Sequence, residues 1–219
     1  MSRPAPTEKI LLSGHAGHID TLLDLPAEVR GIALVCHPHP LYGGANTNKV
    51  VHTLARTLRD LGYAALRPNF RGVGESDGVH DEGRGEVQDM LRVLAWAESR
   101  WQPGLPIALA GFSFGGFIQT RIAHHLHDAG TPAQRLALVG LACGHAADGS
   151  RDYPTPPLPA GGHALIIHGE EDDTVPLANV LDWARPQALP VTVIPGTGHF
   201  FHARLTVLRD ILRATWTPL

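Results

Sequence analysis

Two segments of the chain read G-x-S-x-G: Gly111-Phe112-Ser113-Phe114-Gly115 and Gly74-Glu75-Ser76-Asp77-Gly78. A serine so placed becomes a nucleophile when a strand precedes it and a helix follows, because the tight turn between them presents the hydroxyl above a sheet. Apolar Ile107–Ala110 supplies such a strand for Ser113, and the pattern Phe114–Ala129 supplies the helix. Gly111 and Gly115 let the two elements approach each other around a strained residue. Ser76 follows no strand directly and runs into a polar, Gly-rich stretch, so it reads as part of a loop.

A serine hydroxyl needs a base to take its proton. After the apolar run Val191–Ile194 comes Pro195-Gly196-Thr197-Gly198-His199, whose glycines free the backbone to bring the imidazole back over the sheet. His199 is therefore the expected base, and His202 is expected to start the last helix. An orienting carboxylate should follow the preceding strand, where Glu170, Glu171, Asp172 and Asp173 stand in a row. One of these, held near the imidazole, would fix its tautomer and stabilise the imidazolium. The Phe114 N–H opens a helix and is the expected first oxyanion donor. The second should come from His37-Pro38-His39-Pro40-Leu41-Tyr42-Gly43-Gly44. The two prolines of that loop have no N–H, which leaves His39 first and Leu41 second. Tyr42, Phe112 and Phe114 are candidates to wall an acyl pocket, and Tyr42 and Leu41 are the expected substrate-binding residues.

These groups need a scaffold. Short apolar runs at Lys9–Leu12, Ile19–Leu25, Ile32–Cys36, Tyr63–Arg67, Ile107–Ala110, Leu136–Leu141, Ala164–His168 and Val191–Ile194 read as strands. Most of the later ones are apolar on both faces, as in strands covered by helices on both sides. Helical spacing marks Asn48–Leu61, Gly85–Ser99, Phe114–Ala129, Leu177–Arg185 and His202–Ala214. The order predicts an α/β fold: a mostly parallel eight-stranded sheet with helices on both faces, opened by an antiparallel hairpin joined at Gly14–Gly17. Chemistry is then expected at the carboxyl ends of the strands. Residues 1–219 read as one domain, and Tyr153–Gly162 reads as a stiff, exposed connector.

With 43% hydrophobic and 18% charged residues, the chain can bury a core. Its net charge of -3, without a basic run, argues against a nucleic-acid binder. No apolar stretch is long enough for a membrane span. The start, Met1–Ile10, lacks an export segment, and Cys36 and Cys143 suit a reducing compartment, so a cytoplasmic location is expected. With 14 histidines, coincidental His clusters are to be expected. The run His124-His125-x-His127 reads as a solvent-facing part of a helix.

In this sequence the motifs CHPHPLYGG (36–44), NFRGVGES (69–76), GFSFGG (111–116), HGEEDDTVP (168–176) and GTGHFF (196–201) resemble, in order, those of the α/β-hydrolase family. The resemblance covers nearly the whole chain. The family pattern H-G-x-x-D-x-x-V-P falls on His168–Pro176 and selects Asp172 as the acid, with Asp173 the runner-up. Arg71 and Gly72 fall in a structural turn of that family. The His-Pro at 37–38 resembles a bacterial subgroup of small serine hydrolases that share H-P-H-P-x-x-G-G. Many relatives carry a helical cap after the sixth strand; here Ala142–His163 fits no amphipathic helix, which implies an enzyme without a lid. The resemblance implies a carboxylesterase-like reaction on a small ester or acyl substrate, through Ser113, His199 and Asp172, with no cofactor and no metal. Thioesterase and peptidase chemistry use the same groups. Two other classes remain: a metal-dependent hydrolase using His37 and His39, and a non-enzymatic interaction domain. Oligomeric state is not encoded in any motif.

Overall fold

The structure, a computed structural model, describes residues 6–218. The reading of the extreme amino terminus as lacking an export segment therefore falls partly outside the described residues.

The strands are β1 (Glu8–Ser13), β2 (His18–Asp24), β3 (Gly31–Cys36), β4 (Tyr63–Pro68), β5 (Ile107–Phe112), β6 (Arg135–Val139), β7 (Gly144–His145), β8 (Asp152–Tyr153), β9 (Leu165–Gly169) and β10 (Val191–Ile194). The α-helices are α1 (Lys49–Asp60), α2 (Arg84–Arg100), α3 (Phe114–Asp128), α4 (Leu177–Ala184) and α5 (Leu205–Thr215). Eight strands form one sheet in the order β1, β2, β4, β3, β5, β6, β9, β10. The β1–β2 and β2–β4 pairs are antiparallel and the other main-sheet pairs are parallel.

Side-chain alternation along each strand divides the core in two. On one face Ile32, Leu34, Leu109, Leu136 and Leu138 pack with Met90 and Val93 of α2 and Phe117, Ile118 and Ile122 of α3. On the other, Ala33, Val35, Ala108, Ala110, Ala137 and Val139 meet Val50, Val51 and Leu54 of α1 and Leu208 and Leu212 of α5. The small alanines let α1 and α5 lie close to the sheet on that side. The strand order reverses between β3 and β5, so the loops after these two strands diverge and leave a crevice at their carboxyl ends. The predicted serine and the predicted oxyanion loop sit there.

Three local departures have physical reasons. β6 stops at Val139 because Gly140 turns away at φ 52. The last helix starts at Leu205, leaving His202 outside it, because Phe201 and Ala203 take left-handed φ of 52 and 58. The connector after β8 is clamped rather than freely exposed: Trp183 Nε1 of α4 donates to Thr155 O and Pro156 O, and the Thr155 hydroxyl donates to Ala142 O.

Candidate active site

Ser113 stands between β5 and α3 with φ 56 and ψ -120, a region that a side chain occupies only when its surroundings force it to. Its N–H donates to Val139 O, and its carbonyl accepts from Gly116 N, which fixes the turn. A Cβ on Gly111 would lie 2.3 Å from Gly115 O, and one on Gly115 would lie 2.3 Å from Cys36 O. Both obstacles are backbone. Gly115→Ala is therefore expected to destabilise the fold by about 3 kcal/mol or more. Gly116→Ala, whose Cβ meets the movable Leu141 side chain at 3.0 Å and backbone only at an ordinary contact of 3.6 Å, should stay within about 1 kcal/mol of wild type. Urea midpoints compare the two, and equal effects would refute the steric argument.

His199 comes off β10 through Gly196, whose φ is 58 and whose N–H donates to Glu170 Oε2. The imidazole is buried. Its Nδ1–H donates to Asp172 Oδ2 at 2.7 Å, and its Nε2 accepts from the Ser113 hydroxyl at 3.0 Å. Asp172 is held in turn by the Thr174 and Val175 amides, which donate to its Oδ1 at 3.0 and 2.8 Å. Asp173 points outward, against the Thr174 hydroxyl. The structure thus brings Ser113, His199 and Asp172 into one hydrogen-bonded chain and leaves Asp173 and His202 out of it. Phe112, fully buried, lies under the His199 ring at 5.0 Å between centroids. His168 Nε2 donates to Val175 O and lies 3.3 Å from Asp172 Oδ2, backing the acid.

The loop after β3 is organised by its two histidines. His37 is fully buried; its Nδ1–H donates to Pro38 O at 2.6 Å and its Nε2 accepts the Phe70 N–H at 2.9 Å. Both ring nitrogens are thereby engaged by backbone. His39 caps the 3₁₀ turn Pro40–Tyr42, and its Nδ1 accepts the Leu41 N–H. The Leu41 amide is thus bound within the loop, which removes the second candidate donor. The His39 N–H has no acceptor among the described residues, and the Phe114 N–H is a first-turn amide without an intrahelical acceptor. Among the described residues no three His, Cys, Asp or Glu side chains group as metal ligands.

Burial pushes His37 down to about 4, and burial also lowers His168. Both are neutral in the native state at neutral pH, while the unfolded chain protonates them below the ordinary histidine value of 6.5. Native stability is therefore complete above that pH and falls on acidification. His37 alone removes about 3 kcal/mol between its unfolded and native values. Urea unfolding at pH 7.5 and pH 5 should show the loss; an unchanged midpoint with an unchanged slope would contradict it.

A cavity of about 320 Å³ opens above Ser113, walled by His199, Tyr42, Arg151, Tyr153 and Phe200 among others. Tyr42 is placed as expected. Leu41 is not: it is 66% exposed and belongs to a neighbouring groove. Phe112 and Phe114 are buried packing residues, the latter set against His39 and Phe70. Arg151 and Tyr153 were not singled out by sequence. They stand on the small antiparallel hairpin of β7 and β8, which occupies the place of a cap. Phe200 follows the base directly and its ring edges onto His199, so adjacency to His199 was its only signal.

The remaining candidates have structural roles. The Ser76 hydroxyl donates to Asn69 O and accepts the Asp20 N–H, closing a buried turn. His124 lies in the last turns of α3 and donates to Pro157 O, so it is not simply solvent-facing. Cys36 and Cys143 are buried and unpaired, and burial pushes the Cys143 thiol up to about 12.

Residues 19–135 match the family model of X-Pro dipeptidyl-peptidase (S15 family). The chain is 34% identical, over 78% of its length and 71% of the other's, to protein RP471 of Rickettsia prowazekii. Against the lysophosphatidylserine lipase ABHD12 of Danio rerio it is 36% identical over 47% of its own length, which is 27% of that protein. An alpha-beta serine hydrolase homologue from Coxiella burnetii superposes with a TM-score of 0.84 at 34% identity, covering 99% of this chain and 100% of that one. XC6422 from Xanthomonas campestris, an a/b serine hydrolase without lid, gives 0.84 at 35% identity, covering 99% and 98%. The matched family model and the two structures covered over nearly their whole length together establish that the chain belongs to the α/β serine hydrolases.

Proposed function

We propose that the chain acts as one domain and hydrolyses carboxylic esters through an acyl-enzyme on Ser113. The observation that carries this reading is the hydrogen-bonded series Asp172–His199–Ser113 at the floor of the cavity. Ser113 Oγ attacks the ester carbonyl while its proton passes to His199 Nε2. The alcohol leaves with that proton. A water then attacks the acyl carbon, giving its proton to His199, and the acid departs as Ser113 recovers its hydrogen. Asp172 keeps the proton of His199 on Nδ1 and stabilises the imidazolium. The Phe114 and His39 amides hold the oxyanion, each worth about 3 kcal/mol in the transition state.

A cavity of about 320 Å³ with no cap over it suits short acyl esters, or an acyl group carried on something larger. The buried, unpaired cysteines fit a cytoplasmic location. No helix among the described residues is long and apolar enough to cross a membrane. We read the H-P-H-P-x-x-G-G loop as the mark of a bacterial subgroup of this family.

The S15 match favours a second reading, peptidase activity. That match includes the serine elbow and the loop after β3 but ends before Asp172 and His199, so it speaks for the scaffold more than for the scissile bond. A panel of p-nitrophenyl esters, acyl thioesters and Xaa-Pro anilides separates the readings. Ester hydrolysis exceeding anilide hydrolysis in kcat/KM is the expected result. The reverse order would establish the peptidase, and long acyl esters far outrunning short ones would overturn the short-chain preference.

A further inference from the structure

A groove of about 710 Å³ lies beside the Ser113 cavity, and His39, Arg151 and Tyr153 line both. One ligand can therefore reach Ser113 and continue past Arg151 into the groove. Two guanidinium groups border that path in an unusual way. Arg151 lies 3.9 Å from the centre of the Tyr42 ring, and Arg121 lies 4.4 Å from that of Phe117. Among the described residues neither has a carboxylate oxygen within 4.0 Å. The other charges of the groove are engaged: Arg84 with Asp81 at 2.9 Å and Glu82 at 3.9 Å, and Asp152 with His145 at 3.5 Å. Two acids also border the Ser113 cavity, Asp148 and Asp173, and both are exposed. Asp148 accepts the Ser150 N–H, and Asp173 meets the Thr174 hydroxyl.

Arg151 also reaches the Tyr153 hydroxyl and attracts the exposed Asp148. A guanidinium over a ring face has several donors, and those that remain are open to an oxygen anion. Half-buried at a cavity wall, it is screened by water less than the exposed acids are. We propose that the substrate carries an anionic oxygen group, which Arg151 engages between the cavity and the groove, with Arg121 further along the same path. This inference rests on the reading of Ser113 as the acylated residue. It narrows the substrate to an ester bearing a carboxylate or phosphate some distance from the scissile bond. The β7–β8 hairpin then carries a recognition residue in the place of a cap.

The test compares charged and neutral esters of matched length. On the acyl side, p-nitrophenyl half-esters of succinic, adipic and suberic acids are set against the butanoate, hexanoate and octanoate. On the alcohol side, 4-carboxyphenyl acetate is set against 4-methylphenyl acetate. The wild type should prefer the charged member of at least one pair by about tenfold in kcat/KM, the size of a charge-assisted contact. Arg151→Gln should bring that ratio close to one, Arg151→Lys should keep part of it, and raised salt should shrink it. Arg185→Gln, which removes a cation outside both cavities, should leave the ratio unchanged. Labelling by a fluorophosphonate reports a folded, reactive site in each variant. Labelling without charge preference in any pair, or a preference surviving in Arg151→Gln, overturns this inference alone. No labelling of the wild type overturns the Ser113 reading beneath it.

Discussion

Ser113→Ala should abolish fluorophosphonate labelling and lower kcat for p-nitrophenyl acetate by about 10⁴-fold or more. The expectation follows from the hydrogen bond of 3.0 Å that joins the Ser113 hydroxyl to His199 Nε2. No other hydroxyl in the described residues is hydrogen-bonded to that imidazole. Removing Oγ leaves the oxyanion donors in place, so a residual rate above that of water should remain. Ser76→Ala is the matched control, because it alters the other G-x-S-x-G segment. Its hydroxyl closes the turn between Asn69 O and the Asp20 N–H, so its loss costs stability, about 1–3 kcal/mol, and leaves labelling intact. Labelling that persists in Ser113→Ala and vanishes in Ser76→Ala would reverse the assignment. No labelling in any form would favour the interaction-domain reading.

The legible parts of this molecule were those with a period or a strong local constraint. Val50, Val51, Leu54 and Leu58 on α1, and the short continuous apolar runs of β3 and β5, buried on both faces, announced their elements because core burial imposes the pattern. Ser113 was legible because the glycines around it have no alternative: both would collide with backbone if they bore a Cβ. The start of α5 was not legible, since left-handed φ at Phe201 and Ala203 has no signature in residues that ordinarily avoid it. The β7–β8 hairpin was missed because two-residue strands are too short to show alternation. Its absence from the sequence reading hid Arg151 and Tyr153 as well. Leu41 lies on the groove rather than in the Ser113 cavity for a related reason: the His39 side chain caps a 3₁₀ turn and takes the Leu41 amide. Side-chain capping of this kind depends on a rotamer, which a loop sequence does not fix.

Asp172 and Asp173 are adjacent and chemically identical, and only folding separates them. Asp172→Asn should lower kcat by about 10⁴-fold with the fold intact, while Asp173→Asn should stay within about twofold of wild type. The direction follows from where the two oxygens of Asp172 go. Oδ1 accepts two amides, from Thr174 and Val175, and only a carbonyl oxygen can take that place in asparagine. The amide NH₂ is then turned toward His199 Nδ1, 2.7 Å away in the native pair. That NH₂ can only donate, so Nδ1 must give up its hydrogen and accept. The ring proton moves to Nε2, where it faces Ser113 Oγ and blocks the base that the serine needs. Unlike a loss of packing, this defect is one of tautomer. It should leave the urea midpoint near wild type at neutral pH, weaken at high pH only if a different base takes over, and spare substrate KM. Equal losses in the two variants would move the acid to a shared role across both side chains. A large loss confined to Asp173→Asn would place it there.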